Sequence, residues 1–147
     1  MGPCRAHPRH YPERQDCWHV YFGDVHVGAI GRRVGCPHDK DPWEWSCGFY
    51  PGSRPGEIRT GTSATFDHAR AEFEAAWVVF LAARTEADFE AWRYQLAFTA
   101  WKYRMWDTRH MLPTQLPNGW STCFCGAELS IAGVSDHVRV AHAEVAR

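Results

Sequence analysis

Along Thr65–Arg84 the apolar residues recur at Phe66, Ala69, Phe73, Ala76, Trp77, Phe80 and Leu81. That is the period of one helix face. Thr65 stands where an N-cap belongs, and Asp67 lies in the first turn, where the helix dipole favours negative charge. Each large side chain on this stripe contributes about 1.5–3 kcal/mol when buried, so the helix needs a broad apolar partner. Neither Gly nor Pro ends it. Thr85 with Asp88 repeats a Ser/Thr-x-x-acid start signal. It predicts a break near Arg84 and a second helix over Glu86–Trp106; one continuous helix is the alternative.

Upstream the period falls to two. Trp18, Val20 and Phe22 alternate with His19 and Tyr21, and Gly23-Asp24 signals a tight turn. Val25, Val27 and Ala29 then alternate with His26, Gly28 and Ile30, which predicts a hairpin with one buried face. Gly31–Asp41 is rich in glycine and charge and is expected to be a loop. Trp43, Trp45, Cys47 and Phe49 alternate with Glu44, Ser46 and Tyr50 as a third strand, which Pro51–Pro55 ends. Glu57–Gly61 can add a short fourth strand. The expected fold is α+β, with a three- to four-stranded antiparallel sheet packed on two helices.

The second helix is apolar on two faces. Phe89, Trp92, Leu96 and Tyr103 make one stripe, and Tyr94, Phe98, Trp101 and Met105 make another. One can pack on the first helix or the sheet. The Tyr94–Met105 stripe is then a candidate surface for a protein partner or a second copy of the chain, unless the C-terminal segment or core packing covers it. The expected organisation is a flexible polar tail over residues 1–16, a sheet-and-helix domain over 17–106, a linker over 107–121 and a small module over 122–147.

The run CWHVYFGDVHVGAIG, then DPWEWSCGFYPG, then GTSATFDHARAEFEAAW resembles a group of small uncharacterised bacterial proteins. The similarity spans Cys17–Trp106 and rests on tryptophan and glycine placement. It implies a stable shared domain and assigns no catalytic residue.

Composition narrows the function. The 147 residues carry a net charge of −1, which argues against bulk electrostatic binding to nucleic acid or to anionic membrane. No 18-residue apolar run and no apolar leader occurs, so a cytoplasmic protein without membrane contact is expected. In that compartment cysteines stay reduced and are read first as ligands or core residues. Eight tryptophans supply buried area or contact surface.

The specific chemistry lies near the C-terminus, where Cys123-x-Cys125-x11-His137-x4-His142 offers two thiolates and two imidazoles. That is the ligand set of a closed tetrahedral zinc site, and the two thiolates neutralise the ion. The segment is similar to the two-Cys, two-His zinc finger, with Leu129 and Val134 as its apolar pair. It departs from that pattern in a one-residue cysteine gap and a spacer one residue short. All four positions being filled, the implied zinc is structural. The positions that contact bases in such fingers fall around Ala132, Gly133, Ser135 and Asp136 and carry no Arg or Lys.

Other candidates are less specific. Cys4, His7 and His10 in the tail, and Cys36 with His38 in the loop, are metal-ligand residue types with too few local partners. Cys17 and Cys47 are expected in strands. His19, Tyr21, His26 and Tyr50 share the second sheet face. No phosphate loop, nucleophile elbow or HExxH pattern occurs, and no small-molecule substrate suggests itself. The expectation is a non-enzymatic binding or regulatory protein with a structural zinc. DNA is the first-ranked target, reached by Arg32, Arg33, Arg54 and Arg59 in the loops beside the sheet. A protein-interaction module or homodimer through the second helix is the alternative. A metal-dependent enzyme built on Cys36, His38 and His26 ranks last.

Overall fold

The computed structural model describes residues 17–35, 37 and 40–143. The polar tail and the Cys36/His38 pair lie outside the described residues. The fold is α+β, and the chain divides into two compact units, Met1–Phe89 and Glu90–Arg147. The boundary thus falls within the second helix, and the part of 17–106 that follows Phe89 belongs to the second unit.

In the first unit, β1 (Cys17–Phe22), β2 (Val25–Arg32), β3 (Trp43–Cys47) and β4 (Arg59–Ser63) form one antiparallel sheet in sequence order. Gly23 supplies the positive φ of the β1–β2 turn. Rows of paired residues set the faces. Trp18, Ile30 and Trp45 lie side by side, as do Val20, Gly28 and Cys47. A bulge where Val20 gives way to Tyr21 shifts the phase of β2. Ile30 therefore points into the core and Ala29 away from it, the reverse of the simple alternation read from the sequence. Gly28 is required where it stands. A Cβ there would run into the Ser46 carbonyl and lie 2.7 Å from the Phe73 ring.

Helix α1 (Phe66–Ala82) covers this face. Thr65 caps it by accepting the His68 N–H at 3.2 Å. Ala69, Phe73, Trp77 and Phe80 are buried on its inner stripe. Phe66 packs on Trp18 and Trp43, and Phe22 on Trp77. The chain breaks after α1 as the second capping signal predicts. The Asp88 carboxylate accepts the Thr85 N–H at 2.7 Å, and α2 runs Glu86–Asp107. Arg84, its side chain only 4% exposed, pairs with Glu57 at 2.6 Å and donates to the Gly52 carbonyl, tying the β3–β4 connection to the end of α1. Of the second helix, Phe89 joins this core, against Phe22 and Phe49. The sheet thus packs on α1 and on the start of α2.

The second unit contains the rest of α2, a one-turn 3-10 segment (Pro113–Gln115), the hairpin β5 (Trp120–Thr122) and β6 (Glu128–Ser130), and helix α3 (Val134–Ala141). Helix α2 ends in a Schellman-type turn. The His110 N–H bonds to the Met105 carbonyl and that of Arg109 to Trp106, with Arg109 at φ 59°. The segment read as a linker is built: Pro113 is buried, the Leu112 N–H bonds to Gln115, and that of Trp120 bonds to Asn118. The core joins Ala97, Trp101 and Met105 of α2 to Cys123, Leu129 and Val138, with Tyr94, Phe98, Phe124 and Val134 packed around it.

Candidate metal centre

The hairpin and α3 place four ligand-type side chains around one point. Between β5 and β6 the chain turns tightly: the Gly126 N–H bonds to the Cys123 carbonyl and the Cys123 N–H to the Ala127 carbonyl. Gly126 takes φ 94°, which a glycine adopts at little cost. This turn brings both thiols to one side despite the single intervening residue. On α3, His137 and His142 are five apart and would diverge on a regular helix. His142 is the C-cap, at φ −128° and ψ 13°, with its N–H still bonded to the Val138 carbonyl. That departure swings its ring back beside His137.

Three of the six ligand–ligand edges are close to those of a metal tetrahedron. Cys123 Sγ lies 3.4 Å from His142 Nε2, Cys125 Sγ 3.6 Å from His137 Nε2, and the two Nε2 atoms 3.1 Å apart. All four ligand atoms fall within 4.8 Å of one another. Zinc-ligand bonds of about 2.3 Å to sulfur and 2.0–2.1 Å to nitrogen, at tetrahedral angles, imply edges of roughly 3.6 Å for S···N and roughly 3.3 Å for N···N. Two Nε2 atoms turned toward one point, with two thiols, make a donor set that a cation satisfies better than a hydrogen-bond network does. Among the described residues this is the one group of three or more such side chains that could hold a metal ion.

The surroundings are asymmetric. Cys123 and His142 are buried, whereas Cys125 is exposed. Burial pushes the Cys123 thiol up, and burial together with the neighbouring His137 pushes the His142 imidazole down. The second effect keeps His142 neutral, the form that ligates; the first makes a bare thiolate unfavourable until a cation compensates it. The Trp101 indole N–H donates to Cys123 Sγ at 3.4 Å. Trp101 is 1% exposed, so the centre is backed by α2 itself. Nothing in the sequence points to this donor, because it lies 22 residues from the thiol.

Trp101 and Met105 are buried, and Tyr94 and Phe98 are half-buried against the same core. Tyr94 also donates to Ser135 at 3.0 Å, with Arg139 over its ring at 4.6 Å. The Tyr94–Met105 stripe, expected as an outward contact surface, is taken up by the chain's own C-terminal module. It is the opposite side of α2 that is open, with Leu96, Tyr103 and Trp106 at 41%, 65% and 77% exposure. The four arginines do not converge. Arg32 pairs with Trp43 at one end of β3, and Arg33 bonds to Pro42 and Asp41 beside it. Arg59 pairs with Cys47 at the other end, about 13 Å along the strand, and Arg54 bonds to Glu57 in the connection before it. On the outer sheet face, His19 Nδ1 and His26 Nε2 lie 3.0 Å apart, and Tyr21 packs edge-on to His26. Burial, and then His19, lower the His26 pKa. The Cys47 thiol is pushed up to about 12 by burial, as befits a core residue.

No protein-family model, curated protein or solved structure matches the chain. The site is therefore read from its own geometry. Among the described residues no helix is long and apolar enough to cross a membrane.

Proposed function

We propose that the chain is a non-enzymatic, cytoplasmic binding protein whose C-terminal unit is locked by a structural zinc ion. The observation that carries this reading is the convergence of Cys123, Cys125, His137 and His142 within 4.8 Å of one another, three of their edges being close to those of a zinc tetrahedron. Two thiolates and two imidazoles suit zinc and neutralise its charge. Four protein ligands leave no position for a reacting water, so the ion holds structure. It ties the β5–β6 turn to the end of α3, and the Trp101 N–H on Cys123 orients the thiolate and tempers its charge. Zinc-bound thiolates need a reducing compartment, which the cytoplasm provides.

The locked module presents the open side of α2, and the partner we assign to it is a protein. Trp106 and Tyr103 stand one turn apart and mostly exposed, with Leu96 farther along the helix. Tyr and Trp are residue types enriched at interface centres. A second copy of the chain is the first partner to test. One observation favours nucleic acid as the second reading: Lys102 and Arg109 flank Trp106 in sequence, and all three are exposed, a combination that suits stacking and backbone contact with a single strand. Against sequence reading by α3, Ser135 is engaged by Tyr94.

Sedimentation equilibrium of the zinc-loaded chain, beside Trp106→Glu, tests the protein reading. Concentration-dependent association that the substitution abolishes supports it. A monomer at all concentrations, with salt-sensitive binding of a fluorescent single-stranded oligonucleotide that Trp106→Ala weakens, supports nucleic acid instead.

A further inference from the structure

A cleft of about 510 Å³ lies in the first unit, far from the metal centre in sequence. One bank is β4, through Arg59 and Thr60, with Gly56 and Glu57 of the preceding connection. The other is the outer flank of α1, through Ala76, Val79 and Ala83. Trp45 lines it as well. Its indole lies against Gly61, where a Cβ would come within 2.7 Å of Nε1, so glycine on β4 is what lets the ring lie flat there.

Three features of this cleft select a ligand. First, β4 is the last strand of the sheet, and among the described residues no strand pairs with its outer side. An edge strand presents unpaired backbone N–H and C=O groups. Second, the far wall is apolar and open, with Val79 67% exposed. Third, charge is distributed unevenly along β4. At the Arg59 end, the Glu57 carboxylate is already held by the Arg54 N–H at 2.7 Å and the Arg84 guanidinium at 2.6 Å. These contacts hold Glu57 below the usual carboxylate range, the backbone bond being the largest cause. Arg59 has no ion pair to another described residue and is left as the uncompensated cation. At the Ser63 end stands Glu72, a carboxylate that accepts from Ser63 at 2.5 Å and Trp45 at 2.8 Å.

We propose that this cleft binds the C-terminal segment of a partner polypeptide, added antiparallel to β4 as a fifth strand, with its terminal carboxylate on Arg59. Antiparallel addition runs the ligand's C-terminus toward the start of β4, where Arg59 lines the cleft. Backbone pairing with the open start of β4, at Arg59 and Thr60, gives affinity for an extended segment. Alternate side chains facing Ala76, Val79 and Ala83 are apolar and small, and the guanidinium selects a free carboxylate. The site is independent of zinc and of the α2 surface.

The test uses the full zinc-loaded chain and a degenerate pentapeptide library made in two forms, with a free C-terminal carboxylate and with a C-terminal amide. The expected result is enrichment of free-acid peptides with small branched apolar residues, binding at least about tenfold tighter than their amides. Arg59→Ala should erase that preference, and the bound peptide should slow hydrogen exchange at β4 amides. Val79→Glu, on an exposed position that folding tolerates, should weaken binding of both forms. Equal binding of acid and amide, no enrichment of either, or bound peptide without protection of β4 would overturn the proposal. So would β4 protection without peptide that disappears when residues 1–16 are removed, because the chain's own leader would then occupy the cleft.

Discussion

Removing the metal should unfold the second unit and leave the first intact. The second unit's core has four large fully buried side chains: Trp101, Met105, Leu129 and Val138. At about 1.5–3 kcal/mol each they contribute about 6–12 kcal/mol. A structural zinc would contribute about 10–16 kcal/mol apparent at neutral pH, an amount comparable with that from these four side chains. Without it Cys123 and His142 stay buried with no cation to satisfy them. The first unit has its own core and none of the four ligands. Two indoles report on the two units. The Trp101 N–H donates to Cys123 Sγ, and the Trp45 N–H donates to Glu72. In a proton–nitrogen correlation spectrum each gives a separate signal. A strong chelator should move the Trp101 signal to the unfolded position and leave that of Trp45 in place. A Trp101 signal unchanged after the zinc has been stripped would refute the coupling. Loss of both signals together would refute the independence of the units.

Three further outcomes follow from single residues. Gly28→Ala places a methyl against the Ser46 carbonyl and the Phe73 ring. The loss should exceed about 3 kcal/mol, the upper range for overpacking, in denaturant unfolding of the first unit; a loss under about 1 kcal/mol would mean the bulge relaxes. Glu72 is held below its ordinary pKa by bonds from Ser63 and then Trp45, so the unfolded state takes up its proton first as pH falls. Stability from this contact is complete above the unfolded pKa and is lost as pH drops through the folded one. Glu72→Gln should flatten that acid-side slope in melting temperature against pH. Arg109 holds a left-handed φ of 59° at the end of α2. Arg109→Gly should therefore stabilise the second unit by about 0.5–1 kcal/mol, read as a higher denaturation midpoint.

How much of this was legible depended on whether local pattern or long-range packing decided the matter. The α1 stripe, its Thr65 cap and the break before Glu86 are local, and they stand where periodicity and capping place them. The four-ligand cluster follows from spacing as well, because both the turn at Gly126 and the C-cap position of His142 are short-range events. The phase of β2 was not legible. A bulge shifts it by one residue, and Gly28 beside it is the one local sign, which equally fits the close approach of the Ser46 carbonyl. The destination of the α2 stripes was not legible either. Both are apolar, and only the location of the C-terminal module decides that Trp101 is buried and Tyr103 exposed. The arginines illustrate a third limit. Arg32 and Arg59, expected in loops, are the last residue of β2 and the first of β4, and strand direction places them at opposite ends of β3. The cleft beside β4 requires the edge position of that strand and the flank of α1, which are properties of topology.

Elemental mass spectrometry of the purified chain, beside Cys123→Ser, reads the metal content of the candidate metal centre directly. The wild type should hold one zinc per chain, and the variant should lose it while its first unit remains folded. A wild-type chain that is folded, holds no zinc and takes none up when zinc is added would contradict the zinc reading.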